Sequence, residues 1–208
     1  MTGTTSLTAR RVEIAEAVLR IVARDGLDAV SMRTVAAEAG RSLGWVQREF
    51  ASKDLLLQQT LIHAIDLMGR RIADRAERQG DHASIRSALG SMTEEVLPGR
   101  AETVAEERVW LAFMARAALE PDLAEPLRTH YRRSHEAIAE AITIARSLGQ
   151  ADPELDIARE SHALVALTDG LTAHVLVGIL PIEHAIAILD AHLDRLLRRA
   201  APAEQVPD

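Results

Sequence analysis

Residues 31 to 53, SMRTVAAEAGRSLGWVQREFASK, constrain this chain most, because they hold two short helical stripes separated by a tight Gly-Arg turn. Met32, Val35, Ala36 and Ala39 fall at i, i+3, i+4 and i+7, one apolar face of a helix whose start is marked by Ser31 as an N-cap. Gly40 stops that helix. Ser42 caps a second one by accepting a hydrogen bond from its free N–H groups. On a wheel turning about 100° per residue, Leu43, Val46 and Phe50 share a narrow sector and should face the core. Gly44, Trp45 and Arg48 point the other way, with Gln47 and Glu49 on the flanks. The outward face therefore offers bare backbone, a large ring and a guanidinium, the surface that a recognition helix presents to a major groove.

The remainder is helical in the same sense. Thr8 to Arg24 reads as a first helix with Val12, Ala15, Leu19 and Val22 inward, and the three-helix head ends near Phe50. Ser52 caps a long fourth helix in which Leu57, Leu61, Ala64, Ile65, Met68 and Ile72 form a sustained stripe. Beyond a loop at Gly80 and Asp81, the spacing predicts helices near 82–97, 102–119, 122–149, 153–178 and 182–200. Pro98, Pro121, Pro153 and Pro181 stand at or next to their starts, where a missing N–H costs little. No stretch alternates with period two. The expected fold is all-α with about nine helices, a helix-turn-helix head over 1–53 and a larger helical domain over 54–208. Residues 2–7 form a polar tail for which no order is expected.

Composition removes several classes of function. With no cysteine there is no disulfide, thiolate nucleophile or thiolate metal site, and no signal pattern precedes the first helix, so a cytoplasmic protein is expected. The longest apolar run, Ala163 to Leu180, is broken by Asp169, Gly170 and His174 and reads as a buried helix, not a membrane span. The eight histidines are scattered singly, with no helical zinc-hydrolase pattern, so neither a metal nor a cofactor is expected. No nucleophile elbow, P-loop or dinucleotide fingerprint occurs. Asp169 and His174 could orient a proton transfer, but a polar group that pins a ligand or seals a dimer contact is the better reading. An enzyme is therefore not expected, and a small helical enzyme or carrier acting on an apolar small molecule stands as the alternative. The formal charge of −7 divides unevenly: residues 1–53 carry eight basic and six acidic side chains, a net of +2 that leaves −9 for the rest. A basic head can then approach phosphates while an acidic body stays away.

The stretch from Arg10 to Leu57 resembles the N-terminal domain of TetR-family transcriptional regulators. Gly26, Val35, Ala36, Ala39, Gly40, Ser42, Gly44, Val46, Phe50, Lys53 and Leu56 carry the match. Two letters of the family pattern differ, Gln47 replacing a Tyr and Glu49 a His or Tyr, both at positions that touch phosphates in the family. A Gln still donates, whereas a carboxylate repels the backbone; Glu49 either accepts from a cytosine amino group or lies at the edge of the duplex. More loosely, residues 100 to 197 resemble the BetI-like branch, through Trp110 to Phe113, Glu120 to Leu123 and Leu167 to Leu171.

The resemblance implies a ligand-responsive regulator, most simply a repressor, that binds double-stranded palindromic operator DNA as a homodimer and leaves it when a small-molecule effector binds. Its DNA face comprises Arg33, Thr34, Ser42, Leu43, Gly44, Trp45, Gln47, Arg48 and Lys53. Arg48 reads guanine, Trp45 meets a thymine methyl, and Arg33, Thr34, Ser42, Gln47 and Lys53 hold phosphates. Effector pockets of such proteins lie in the C-terminal domain, so Met68, Met92, Trp110, Phe113, Met114, Asp169 and His174 are the expected ligand residues. The last two helices are expected to form the dimer contact. Ala163 to Val177 is apolar nearly all round, and Ala185, Leu189, His192, Leu193 and Leu196 line one stripe of the final helix.

Overall fold

The computed structural model describes residues 7–79, 84–99 and 101–197. Among these residues there are nine α-helices and no strand: α1 (Ala9–Asp25), α2 (Met32–Glu38), α3 (Leu43–Glu49), α4 (Lys53–Gln79), α5 (Ile85–Glu95), α6 (Ala101–Ala117), α7 (Pro121–Ser147), α8 (Ile157–Val177) and α9 (Ile182–Leu196). The expected all-α architecture, with a helix-turn-helix head and further helices beyond it, is present. A short 3-10 turn at Leu27–Ala29, which hydrophobic spacing does not reveal, joins α1 to α2. The expected loop at Gly80 and Asp81, the tail over 2–6 and the end of the last predicted helix lie outside the described residues.

Local chemistry explains the helix ends. Thr8, Ser31, Ser42, Ser84 and Asp156 each accept a backbone N–H of the first turn of the helix that follows. Ser52 does the same for α4, accepting from Leu55 N at 3.1 Å. At Gly40, with φ of +63°, the Gly40 N–H reaches Ala37 O and the Arg41 N–H reaches Ala36 O, so the left-handed residue closes α2 and turns the chain into α3. The predicted helix over 153–178 starts later, at Ile157. Asp152 holds Pro153 in a turn by accepting from Glu154 N at 2.9 Å, and Asp156 then caps.

The chain divides into two compact units that interleave along the sequence. One comprises residues up to 71 together with 100–130, the other 72–99 together with residues from 131 onward. In the first, α1 is packed by α2, α3 and α6. Its buried residues are Ile14, Ala15, Ala17, Val18, Ile21 and Val22, a wider arc than the predicted stripe. Val12 and Leu19, expected inside, are only half-buried. A single-stripe reading fails here because α1 is covered from more than one side.

In this unit α7 begins with an internal proline, Pro126, which removes the N–H that would bond to Asp122 O. The Gln58 side-chain amide replaces it, Nε2 donating to Asp122 O at 3.1 Å. In the second unit Leu89, Ile138, Ile142, Leu164, Leu189 and Leu193 form the centre of the core. There α9 packs on α5 and α8, and Arg86 of α5 bonds to Asp190 and Asp194 at 2.7 and 2.9 Å.

Candidate functional site

The orientation of α3 is set by what it buries. Val46 and Phe50 are fully buried, which turns Gly44, Gln47 and Arg48 outward, and all three are exposed. Leu43 is half-buried at the start of the helix, less enclosed than its place on the wheel predicts. Among the described residues Arg48 makes no ion pair, so its guanidinium keeps its donors for another acceptor. Ser42 Oγ accepts from Trp45 N at 3.2 Å, which leaves its hydroxyl proton for an external oxygen. Arg33 is exposed on α2, and Lys53, half-buried, opens α4.

Trp45 is half-buried, not fully outward as the wheel has it. Its ring lies under the guanidinium of Arg41, 5.1 Å from the centroid, and Arg41 is itself held by both oxygens of Glu13 at 2.8 and 3.2 Å. The contact lowers the Glu13 carboxyl below the usual range, through hydrogen bonding from Arg41 more than through charge. Thr34 is committed to helix capping. Its hydroxyl bonds to Ala29 O at 2.9 Å and Ser31 O at 3.0 Å and accepts from Ser31 N at 2.8 Å. Glu49 turns toward α1, 3.6 Å from Arg10 and 3.8 Å from Arg11.

A second feature of the same unit is a cavity of about 360 Å³ walled by α1, α4 and α6. Leu19, Leu61, Leu67, Met68, Trp110 and Phe113 supply its apolar surface, and Glu16, Arg20, Arg71, Glu106 and Glu107 its charges. Arg71 is bonded to Glu106, and Arg20 to Glu38 of α2 at 2.9 Å. Glu107 is buried, with 5 % of its surface exposed. Three of the seven expected ligand residues, Met68, Trp110 and Phe113, meet at this cavity. Met114 is half-buried on the same helix but outside the lining, and Met92 packs against the core of the second unit.

Asp169 and His174 also belong to the second unit, where His174 is exposed. Asp169 accepts from the Tyr131 hydroxyl at 2.7 Å, and burial pushes its pKa up against the opposing pull of that bond. Nearby, the rings of His135 and His162 stack 3.9 Å apart, and burial together with the His162 charge lowers the His135 pKa. The described residues contain no cluster of His, Asp and Glu arranged to hold a metal.

Sequence spacing missed Arg10, Arg11 and Arg41 at the head, and Glu16, Arg20, Arg71 and Glu107 at the cavity. The signal available for Glu107 was its i, i+3 relation to Trp110, a carboxylate on the stripe that carries the ring. For Arg41 and Glu13, 28 residues apart, the sequence holds no signal of pairing.

Comparison with known proteins places these features. Residues 85–198 match the family model described as BetI-type transcriptional repressor, C-terminal. The HTH-type transcriptional regulator PksA of Bacillus subtilis is 30% identical over 176 residues, covering 80% of this chain and 78% of that protein. The regulator BetI of Burkholderia lata is 28% identical over 195 residues, covering 90% and 94%. Among solved structures, a transcriptional regulator from Saccharomonospora viridis in complex with choline superposes with a TM-score of 0.83 at 26% identity, covering 91% of this chain and 98% of that one. A transcriptional regulator from Rhodococcus gives 0.80 at 25%, covering 93% and 100%.

Proposed function

This chain belongs to the TetR family of transcriptional regulators and carries a BetI-type C-terminal region, and from that premise we propose that it is a homodimeric repressor released from a palindromic operator by a small-molecule effector. The observation that carries the reading is the orientation of α3, with Val46 and Phe50 sealed beneath and Arg48 exposed without an ion pair among the described residues. Arg48 reads a guanine through two hydrogen bonds, at about 1–3 kcal/mol of discrimination. The edge of Trp45, fixed by Arg41, meets a thymine methyl beside it. Arg33, Ser42, Gln47 and Lys53 hold phosphates and set register, and Thr34 serves by fixing the start of α2. Residues 1–53 then act as the reading head, and 54–208 bind effector and partner, with α1 of the head closing one wall of the effector cavity.

A small-molecule effector is supported by the cavity beside α1 and by the Saccharomonospora viridis relative, which was solved with choline bound. The dimer is supported by exposed apolar side chains on the last two helices and the turn between them, Val177 at 73 %, Ile179 at 64 % and Ile188 at 42 %, together with the exposed small residues Ala163, Ala166 and Gly170 of α8. No helix among the described residues is long and apolar enough to cross a membrane. The test is a gel shift on DNA flanking the protein's own gene. Arg48→Ala should lose discrimination between operator and scrambled duplex while keeping weak, salt-sensitive binding, and unchanged selectivity removes Arg48 from the reading role.

A further inference from the structure

One helix stands between the cavity and the recognition helix. Glu16, Leu19, Arg20 and Ala23 of α1 line the cavity, whose other walls come from α4 and α6. On the same helix Glu13, Arg20 and Arg24 fall at i, i+7 and i+11, a single stripe. Arg20 Nε bonds to Glu38 Oε1 at 2.9 Å, and both terminal nitrogens of Arg24 bond to Glu38 Oε2 at 3.2 Å. Glu13 grips Arg41 at 2.8 and 3.2 Å. Among the described residues, every ion pair made by residues 31–50 runs to α1. Arg20 is the one member of those pairs that also lines the cavity.

Apolar packing of α1 against α2 is non-directional and tolerates sliding, whereas hydrogen bonds between charged groups fix a position. Two guanidiniums one turn apart take the two oxygens of a single half-buried carboxylate, which sets where along α1 the end of α2 stands. Their bonds hold the Glu38 carboxyl below its usual range, Arg20 more than Arg24. Glu38 lies two residues before the Gly40 bend. Just beyond the bend, Arg41 carries its own bond to α1 and lies over the Trp45 ring at 5.1 Å. A shift of α1 is therefore handed to both sides of the bend.

We propose that Arg20 is a positioning residue that ties the filling of the cavity to the placement of α3. A body seated between α1, α4 and α6 displaces the α1 wall, and the clamp of Arg20 and Arg24 on Glu38 makes α2 and the bend follow. As a regulatory link the inference rests on the repressor reading above; as a mechanical link within the head it stands on the clamp alone.

A cavity-filling substitution in the full-length protein takes the place of an occupant. Ala64→Phe, from the α4 wall, should weaken operator binding about three- to tenfold, and by less than about twofold in an Arg20→Gln background. Exposed pairs add little stability, so Arg20→Gln alone should leave the urea midpoint nearly in place, as a residue that only supported the fold would not. Without DNA, filling should quicken amide exchange at Gly40 and Arg41, whose N–H groups bond to Ala37 O and Ala36 O, and should do so only where Arg20 is present. If Ala64→Phe does not fold, Ala105→Phe from the α6 wall replaces it. Equal responses to filling with and without Arg20, no response in either, or a large fall in the midpoint of Arg20→Gln overturns the link. An Arg20-dependent change in exchange in a protein that selects no operator supports the link and defeats the repressor reading. Selective operator binding whose response to filling ignores Arg20 does the reverse.

Discussion

At the scale of single residues, the head is tuned by ion pairs that hold its basic groups in place. Glu49 lies 3.6 Å from Arg10 and 3.8 Å from Arg11, so on the proposed DNA-binding reading it shields two cations that would otherwise face a phosphate backbone. The pairs are exposed and contribute little to stability. Their weight falls on DNA binding. Glu49→Gln should free both arginines, raise affinity for any duplex, and steepen the dependence of log K on log salt by about one to two. An unaltered salt slope shows that Arg10 and Arg11 stay clear of phosphates. Ser31, Ser42, Val46 and Phe50 were legible from sequence because a cap and a stripe are set within one helical turn. Arg41 over Trp45 was only half so: four residues put them on one face, but the Glu13 that fixes the guanidinium comes from another helix.

At the scale of elements, the predicted helices from α4 to α9 lie where hydrophobic spacing and the prolines put them, except where a side chain changes the rule. Pro126 is such a place: a proline inside a helix ordinarily kinks or ends it, and α7 continues from Pro121 to Ser147. The Gln58 amide, donating to the carbonyl that Pro126 leaves open, explains part of that tolerance. Gln58→Ala should lower stability by about 0.5–1.5 kcal/mol in urea unfolding. In a Pro126→Ala background, where the helix supplies its own N–H, the same substitution should cost almost nothing. Equal costs in both backgrounds detach Gln58 from this role. No sequence pattern announces the pairing, since a glutamine on one helix and a proline on another become neighbours only through packing.

At the scale of the whole molecule, association and pH response are the properties to measure. Val177→Glu combined with Ile188→Glu should convert a dimer to monomers in sedimentation and weaken operator binding, whereas a dimer that persists places the contact elsewhere. Burial lowers the pKa of His63, His135 and His192, so the folded chain resists protons that the unfolded chain accepts near the ordinary histidine value. Stability from these groups is complete above that range and is lost as pH falls below it. Asp169, raised by burial, acts in the opposite sense, stabilising below the ordinary carboxylate range and losing that contribution as pH rises through its folded value. The urea midpoint should therefore drop between about pH 7.5 and about pH 5.5, and His192→Leu should reduce the drop. A flat midpoint shows that the imidazoles charge without cost. The sequence alone determined the all-helical fold, the turn at Gly40 and the outward turn of Gly44 and Arg48 on α3, because each follows from spacing and capping within a few residues. Only the tertiary structure decided that Glu107 and Trp110 meet Glu16 and Arg20 around one cavity while Asp169 and His174 lie in the other unit. A stripe specifies which face of a helix must be covered, and the covering helix is chosen by the packing of the chain as a whole.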